Sequence, residues 1–204
     1  MNKPDYVTAL EAAYGAPSRE AFGSAVFFAR SKSADDLEKM ALEKYRYFVG
    51  DLWERYGEAA WLGTWKKVYV RGAGAKHDIV AELRGIKDPD AAISVPMILD
   101  NFEGAGQAGS ALSAAYDTPA VNDLQVFNLG DGGAMSGLLI AGRQDGNGEL
   151  IFLVFLMDWD FLFAPRIPAP VYGNPCAYFL HTNRCAGKFR QSLIPADAVG
   201  WTKI

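Results

Sequence analysis

Hydrophobic and polar positions change character near residue 90. Before it, apolar residues recur mainly at spacings of three and four, as on amphipathic helices. After it, they gather in short blocks separated by glycine-rich turns, as in strands. Tyr6, Leu10, Ala13 and Tyr14 share one helical face that ends at Gly15 and Pro17, and Ser18 is placed to cap a second helix with Phe22, Ala25, Val26 and Ala29 inward. Ser33 followed by Asp36 opens a third, whose Leu37, Ala41, Tyr45, Phe48, Leu52 and Tyr56 mark a buried stripe as far as Gly57. Residues 61–70 fit either a short helix followed by a strand or a continued helix. Ile79, Val80 and Leu83 predict a turn or two of helix ending near Gly85. Asp88-Pro89-Asp90 then marks a turn at which a single domain would divide into a helical part, 1–88, and a sheet-containing part, 89–204.

Residues 93–99 read as a strand that Pro96 would confine to an edge, and 110–116 as a short helix closed by Asp117-Thr118-Pro119. Three strands follow at 124–129, 137–143 and 149–157, joined by Gly130-Asp131-Gly132-Gly133 and by Asp145-Gly146-Asn147-Gly148, the pattern of an antiparallel meander. Residues 150–157, Leu-Ile-Phe-Leu-Val-Phe-Leu-Met, contain no polar position, so this strand is expected to be buried on both faces. The expected fold is α+β: a helical N-terminal part packed on an antiparallel β-meander with a buried central hairpin. The last forty residues, with prolines at 165, 168, 170, 175 and 195, are expected to wrap over another part of the sheet.

Composition narrows the function classes. The chain has 204 residues, half of them hydrophobic and 13% aromatic, which excludes disorder. Its net charge of −4 supplies no basic footprint for nucleic acid. The N-terminal residues lack a signal-peptide pattern, and no apolar run approaches the roughly 20 residues that span a bilayer, so a cytoplasmic protein with no membrane partner is expected. Cys176 and Cys185 are then expected to be reduced thiols.

Several clusters invite chemical readings. Gly104, Gly106 and Gly109 spell G-x-G-x-x-G before a helix, which places a dinucleotide phosphate at that helix N-terminus, but the following meander is not the parallel crossover such a site requires. Asp145 to Glu149 open like a calcium loop, yet Leu150 and Leu156 stand where glycine and glutamate are needed, so a hairpin turn is expected. Cys176, His181 and Cys185 offer three zinc ligands without a fourth nearby. No cofactor and no metal is expected. Asp158 and Asp160 flank Trp159 at the end of the apolar strand, and Phe161, Tyr172, Tyr178 and Phe179 follow. Carboxylates and aromatics so placed can finish a core or anchor a protein partner. Asp35, Asp36 and the acids among residues 54–58 read as solvated helix faces on which a basic partner could dock.

Phe127-Asn128-Leu129-Gly130-Asp131-Gly132-Gly133, followed by the apolar hairpin and Asp158, resembles the central region of the SUKH superfamily. The resemblance spans about thirty residues. The family's Leu-Pro signature after the first helix is missing, and the helical N-terminal part is longer. The resemblance implies paired strands after an Asp-Gly-rich turn and, as in many bacterial members, an immunity protein that neutralises a toxin. The resulting expectation is a non-enzymatic protein-binding module that blocks a toxin by occlusion, with Trp159, Asp158, Asp160 and Phe161 at the contact. The alternatives are a small-molecule or nucleotide-binding enzyme built on the Gly104, Gly106, Gly109 loop with Asp100 or Asp131, and a structural component of a larger assembly.

Overall fold

The structure, a computed structural model, describes residues 3–31, 36–100 and 105–158. Three strands form the expected meander: β3 (Val121–Asn128), β4 (Met135–Gln144) and β5 (Glu149–Asp158). Two more strands extend it, β1 (Gly23–Arg30) beside β5 and β2 (Lys66–Val70) beside β3, giving a five-stranded sheet in the order β1-β5-β4-β3-β2 with every neighbouring pair antiparallel. The fold is α+β.

β5 lies between β1 and β4, and its alternating side chains feed two separate cores. Ile151, Leu153 and Phe155 face a layer of helices α1 (Asp5–Tyr14), α5 (Ile79–Arg84), α6 (Pro89–Leu99) and α7 (Ala105–Tyr116). Leu150, Phe152, Val154 and Leu156 face α2 (Leu37–Val49), α3 (Asp51–Tyr56) and α4 (Glu58–Leu62). A strand with cover on both sides has no polar face to present, which accounts for the unbroken apolar run. The second cover, α5 to α7 with α1, comes from the first 116 residues. The expectation for the last forty concerns residues outside those described.

Three expectations are corrected. Residues 23–30 form β1 where a helix was expected. Ala25 and Phe27 enter one core and Val26 the other, so burial on both faces blurs the alternation that separates strand from helix. Residues 93–99 belong to α6 where an edge strand was expected. Asp88 caps this helix by accepting from Ala91 N at 3.1 Å, Pro89 occupies its first turn, and Pro96 sits on its exposed side. Tyr56, expected on the buried stripe, is 42% exposed. Gly50, with φ 62° and ψ −132°, divides the expected single helix into α2 and α3 and resets the phase, so that Trp53 turns inward and Tyr56 outward.

Other expectations hold. α1 ends at Gly15, and residues 61–70 take the helix-then-strand alternative as the end of α4 followed by β2; Asp36 is itself the cap of α2, accepting from Glu38 N at 3.0 Å, and Ser33 lies outside the described residues. Gly142 shows why a glycine interrupts the apolar β4: a Cβ there would lie 2.9 Å from two ring carbons of the buried Tyr116.

Candidate functional site

The α2–α4 layer carries an inner aromatic cluster and an outer polar face. Inside, Tyr45 stacks on Trp65 and meets Trp53 and Trp61 edge-on, with Trp65 stacked on Phe127 at 4.6 Å between centroids. Rings packed in this way hold their helices in place and stiffen what those helices display. Outside, Tyr47 is 49% and Tyr56 42% exposed. The Arg19 guanidinium lies 5.5 Å above the Tyr47 ring, while Phe27 meets that ring edge-on. Arg19 pairs with Asp51 at 3.0 Å and Arg46 with Glu54 at 2.5 Å, and Glu58 is exposed one turn further on.

Backbone strain borders this face. Ala21 has φ 65°, a left-handed conformation that costs a non-glycine residue on the order of 1–3 kcal/mol, and it is held there by its N–H donating to Phe48 O at 3.0 Å. Gly50 opposite leaves room for Arg19 O, which a Cβ would approach to 3.2 Å. Between residues 19–21 and 49–52 lies a shallow cavity of about 480 Å³. Residues 1–158 hold 15 lysines and arginines against 22 aspartates and glutamates, so this part of the chain is more acidic than the whole.

At one end of the sheet the Asp-Gly turn is firmly tied. Asp131 Oδ1 accepts from Gly133 N and Met135 N, Thr64 Oγ1 donates to Leu129 O at 2.7 Å, and Asn128 Nδ2 donates to Gly130 O at 2.6 Å. Gly132, with φ 68°, lies against Asp90, whose Oδ1 a Cβ would meet at 2.5 Å. Asp88 pairs with Lys66 Nζ at 2.6 Å, and that hydrogen bond holds its carboxyl below the usual carboxylate range. Asp158 ends β5 at this same end of the sheet, opposite Met135. Asp131 is therefore occupied in building the turn.

At the other end, the mostly buried Glu149 joins α1, β1 and β5. Tyr6 Oη donates to Glu149 Oε2, and Arg30 Nη2 donates to Oε1 at 2.7 Å. Burial pushes the Glu149 carboxyl up, but the hydrogen bonds from Tyr6 and Arg30 outweigh it, and the net direction is below the ordinary value. A carboxyl depressed on folding contributes stability that is full above its unfolded value, about 4.3, and is lost as pH falls through the folded one. Glu149→Gln is accordingly expected to be less stable than wild type by about 1–3 kcal/mol at pH 7. The gap should close as pH falls below about 4.3, read from urea unfolding at a series of pH values. A gap that does not change with pH would contradict the charged assignment.

Of the residues expected at a site, Gly106 and Gly109 lie within α7, and the element before them is helix α6, with no strand leading in. Asp100 is exposed at the end of α6. The 145–148 segment is the β4–β5 turn, with Gly146 and Gly148 at positive φ. Gly104, Asp35, Trp159, Asp160, Phe161, Tyr172, Cys176, Tyr178, Phe179, His181 and Cys185 lie outside the described residues. Among the described residues no three His, Cys, Asp or Glu side chains stand close enough to hold a metal, and no helix is long and apolar enough to cross a membrane. Tyr47 was not singled out from the sequence. The usable signal was its position on α2 off the stripe of Leu37, Ala41, Tyr45 and Phe48. Comparison of the chain with protein-family models, with curated proteins and with solved structures finds no match.

Proposed function

We propose that this chain is a non-enzymatic protein-binding module that acts as an immunity protein, neutralising a bacterial toxin by occluding a basic surface on it. The observation that carries the reading is the outer surface of α2–α4, where Tyr47 and Tyr56 each stand half exposed and Asp51 and Glu54 pair with Arg19 and Arg46, on a layer fixed from behind by stacked rings. Tyrosine and arginine are enriched among the few residues that dominate binding energy at protein interfaces, tyrosine because its large rigid ring excludes water at little entropic cost. The acidic balance of residues 1–158 favours a basic partner and fast, salt-sensitive association. The resemblance of residues 127–133 and the following hairpin to the SUKH superfamily points to the same class.

The test is the affinity of the double variant Tyr47→Ala/Tyr56→Ala for the partner. Two interface tyrosines at about 1–2 kcal/mol each predict a loss of at least about tenfold, and of several hundredfold if both are hot spots. Both side chains are half exposed but pack on Phe27, Arg19 and Trp61, so a modest drop in the unfolding midpoint is expected while the variant stays folded. Unchanged affinity in a folded double variant would overturn this choice of face.

A further inference from the structure

The turn that joins the central strands β4 and β5 carries the chain's one Asn-Gly dipeptide. Asn147 precedes Gly148, whereas the asparagines at 2, 101, 122, 128, 174 and 183 precede lysine, phenylalanine, aspartate, leucine, proline and arginine. The fold dictates this glycine. Gly148 has φ 66°, and a Cβ on it would lie 2.1 Å from Ser31 O, because the chain leaving β1 closes on the turn through Ser31 N donating to Gly148 O at 2.9 Å. The peptide nitrogen that follows Asn147 is therefore left without a side chain to shield it.

Asn147 is exposed to water, and its amide is folded over that peptide. Oδ1 accepts from Glu149 N at 2.9 Å, a bond that bridges Gly148, while Nδ2 donates to Gln144 Oε1 at 3.1 Å. A donor on Oδ1 draws electrons from Cγ and stabilises the negative charge that this oxygen gains when Cγ is attacked. Gly148 N is the nucleophile within reach. The turn lies at the surface, where local opening costs far less than global unfolding.

We infer that Asn147 is a site of spontaneous covalent modification, deamidating in the folded chain through a cyclic imide formed with Gly148. Gly148 N gives its proton to solvent base and bonds to Asn147 Cγ; the Cγ–Nδ2 bond breaks, and the departing nitrogen takes a proton from water and leaves as ammonia. Water then opens the imide. Addition at Cγ gives aspartate, and addition at the main-chain carbonyl of residue 147 gives isoaspartate, so one water is consumed, one ammonia is released and nothing is oxidised or reduced. Either product deprives Gln144 of its donor and sets a new negative charge next to Glu149, whose carboxyl the Asn147 amide helps hold below its ordinary value. Isoaspartate also lengthens the main chain of the turn by one carbon, which shifts Gly148 O from Ser31 N. The reaction thus loosens the turn on which β1, β4 and β5 meet.

The full chain is incubated at pH 8 and 37 °C, folded in buffer and, in parallel, unfolded in guanidinium chloride. Samples are digested at low pH, where digestion adds no deamidation, and mass spectrometry follows the replacement of amide by acid at each asparagine, with isoaspartate and aspartate peptides separated by chromatography. In the folded chain Asn147 is expected to convert ahead of every other asparagine, to a mixture of both acids, at no less than about one tenth of its rate in the unfolded chain. A lower fraction, or faster conversion at another asparagine, would overturn the inference. Asn147→Asp, which carries the product's charge from the start, is expected to raise the unfolding equilibrium constant at least about threefold, as loss of one hydrogen bond does. Asn147→Ser keeps an acceptor for Glu149 N without the charge and should lose less. An Asn147→Asp chain as stable as wild type would overturn the loosening of the turn. No partner enters these measurements, so their outcome is separate from that of the proposed function.

Discussion

Arg71→Ala is expected to lower the free energy of unfolding by about 3–5 kcal/mol, as for removal of one partner from a buried ion pair. The guanidinium holds four elements together: it ends β2, takes both oxygens of Glu82 on α5, and satisfies the carbonyls of Tyr116 at the end of α7 and Val121 at the start of β3. Alanine would leave the mostly buried Glu82 carboxylate without its cation and two carbonyls without a donor. Lysine would restore one charge but not the fork, so Arg71→Lys should fall between wild type and alanine. Urea unfolding checks both, with a lowered midpoint and an unchanged slope expected. A loss below about 1 kcal/mol for Arg71→Ala would place the pair among surface ion pairs instead.

Phe152→Ala and Leu153→Ala should both be strongly destabilising, by about 3–5 and 2–5 kcal/mol respectively. These neighbours on β5 are fully buried and point to opposite faces, Phe152 into the α2–α4 layer and Leu153 into the layer of α1 and α5 to α7. A strand half open to solvent would tolerate one of the two changes within about 0.5 kcal/mol. Denaturant unfolding of the two variants therefore tests two-faced cover directly. Each loss is a large fraction of a total stability of about 5–15 kcal/mol, so partial unfolding of either variant at 37 °C is expected.

The meander was legible because its evidence is local: apolar blocks, and turns whose glycines adopt positive φ at Gly132, Gly146 and Gly148. β1 was not, since Phe22, Ala25, Val26 and Ala29 satisfy a helical spacing while the true determinant is pairing with β5, more than a hundred residues away. Pro96 misled for a related reason: a proline weakens a helix, but Asp88, Pro89 and burial of Ala91, Val95, Ile98 and Leu99 outweigh it. The position of Gly50 was visible, yet only its backbone conformation shows that it shifts the helical phase and turns Tyr56 outward.

The candidate sites were less legible than the fold. The acids near 54–58 were recognised as a possible docking face, whereas Tyr47 needed the real helix orientation and Arg19 needed the strained turn that brings it over the ring. Arg71 gained its role of tying elements together only through carbonyls 45 and 50 residues away. Such contacts depend on tertiary placement, on which periodicity and spacing carry no information.

The most direct test of the functional proposal is affinity capture from source cells of tagged wild type and the folded Tyr47→Ala/Tyr56→Ala variant, side by side, with both eluates read for proteins and small molecules. The proposal predicts a stoichiometric basic protein in the wild-type eluate, missing from the variant's, which is toxic when expressed alone and harmless when expressed with this chain. A nucleotide or other small molecule without a protein, or the same protein in both eluates, would contradict it.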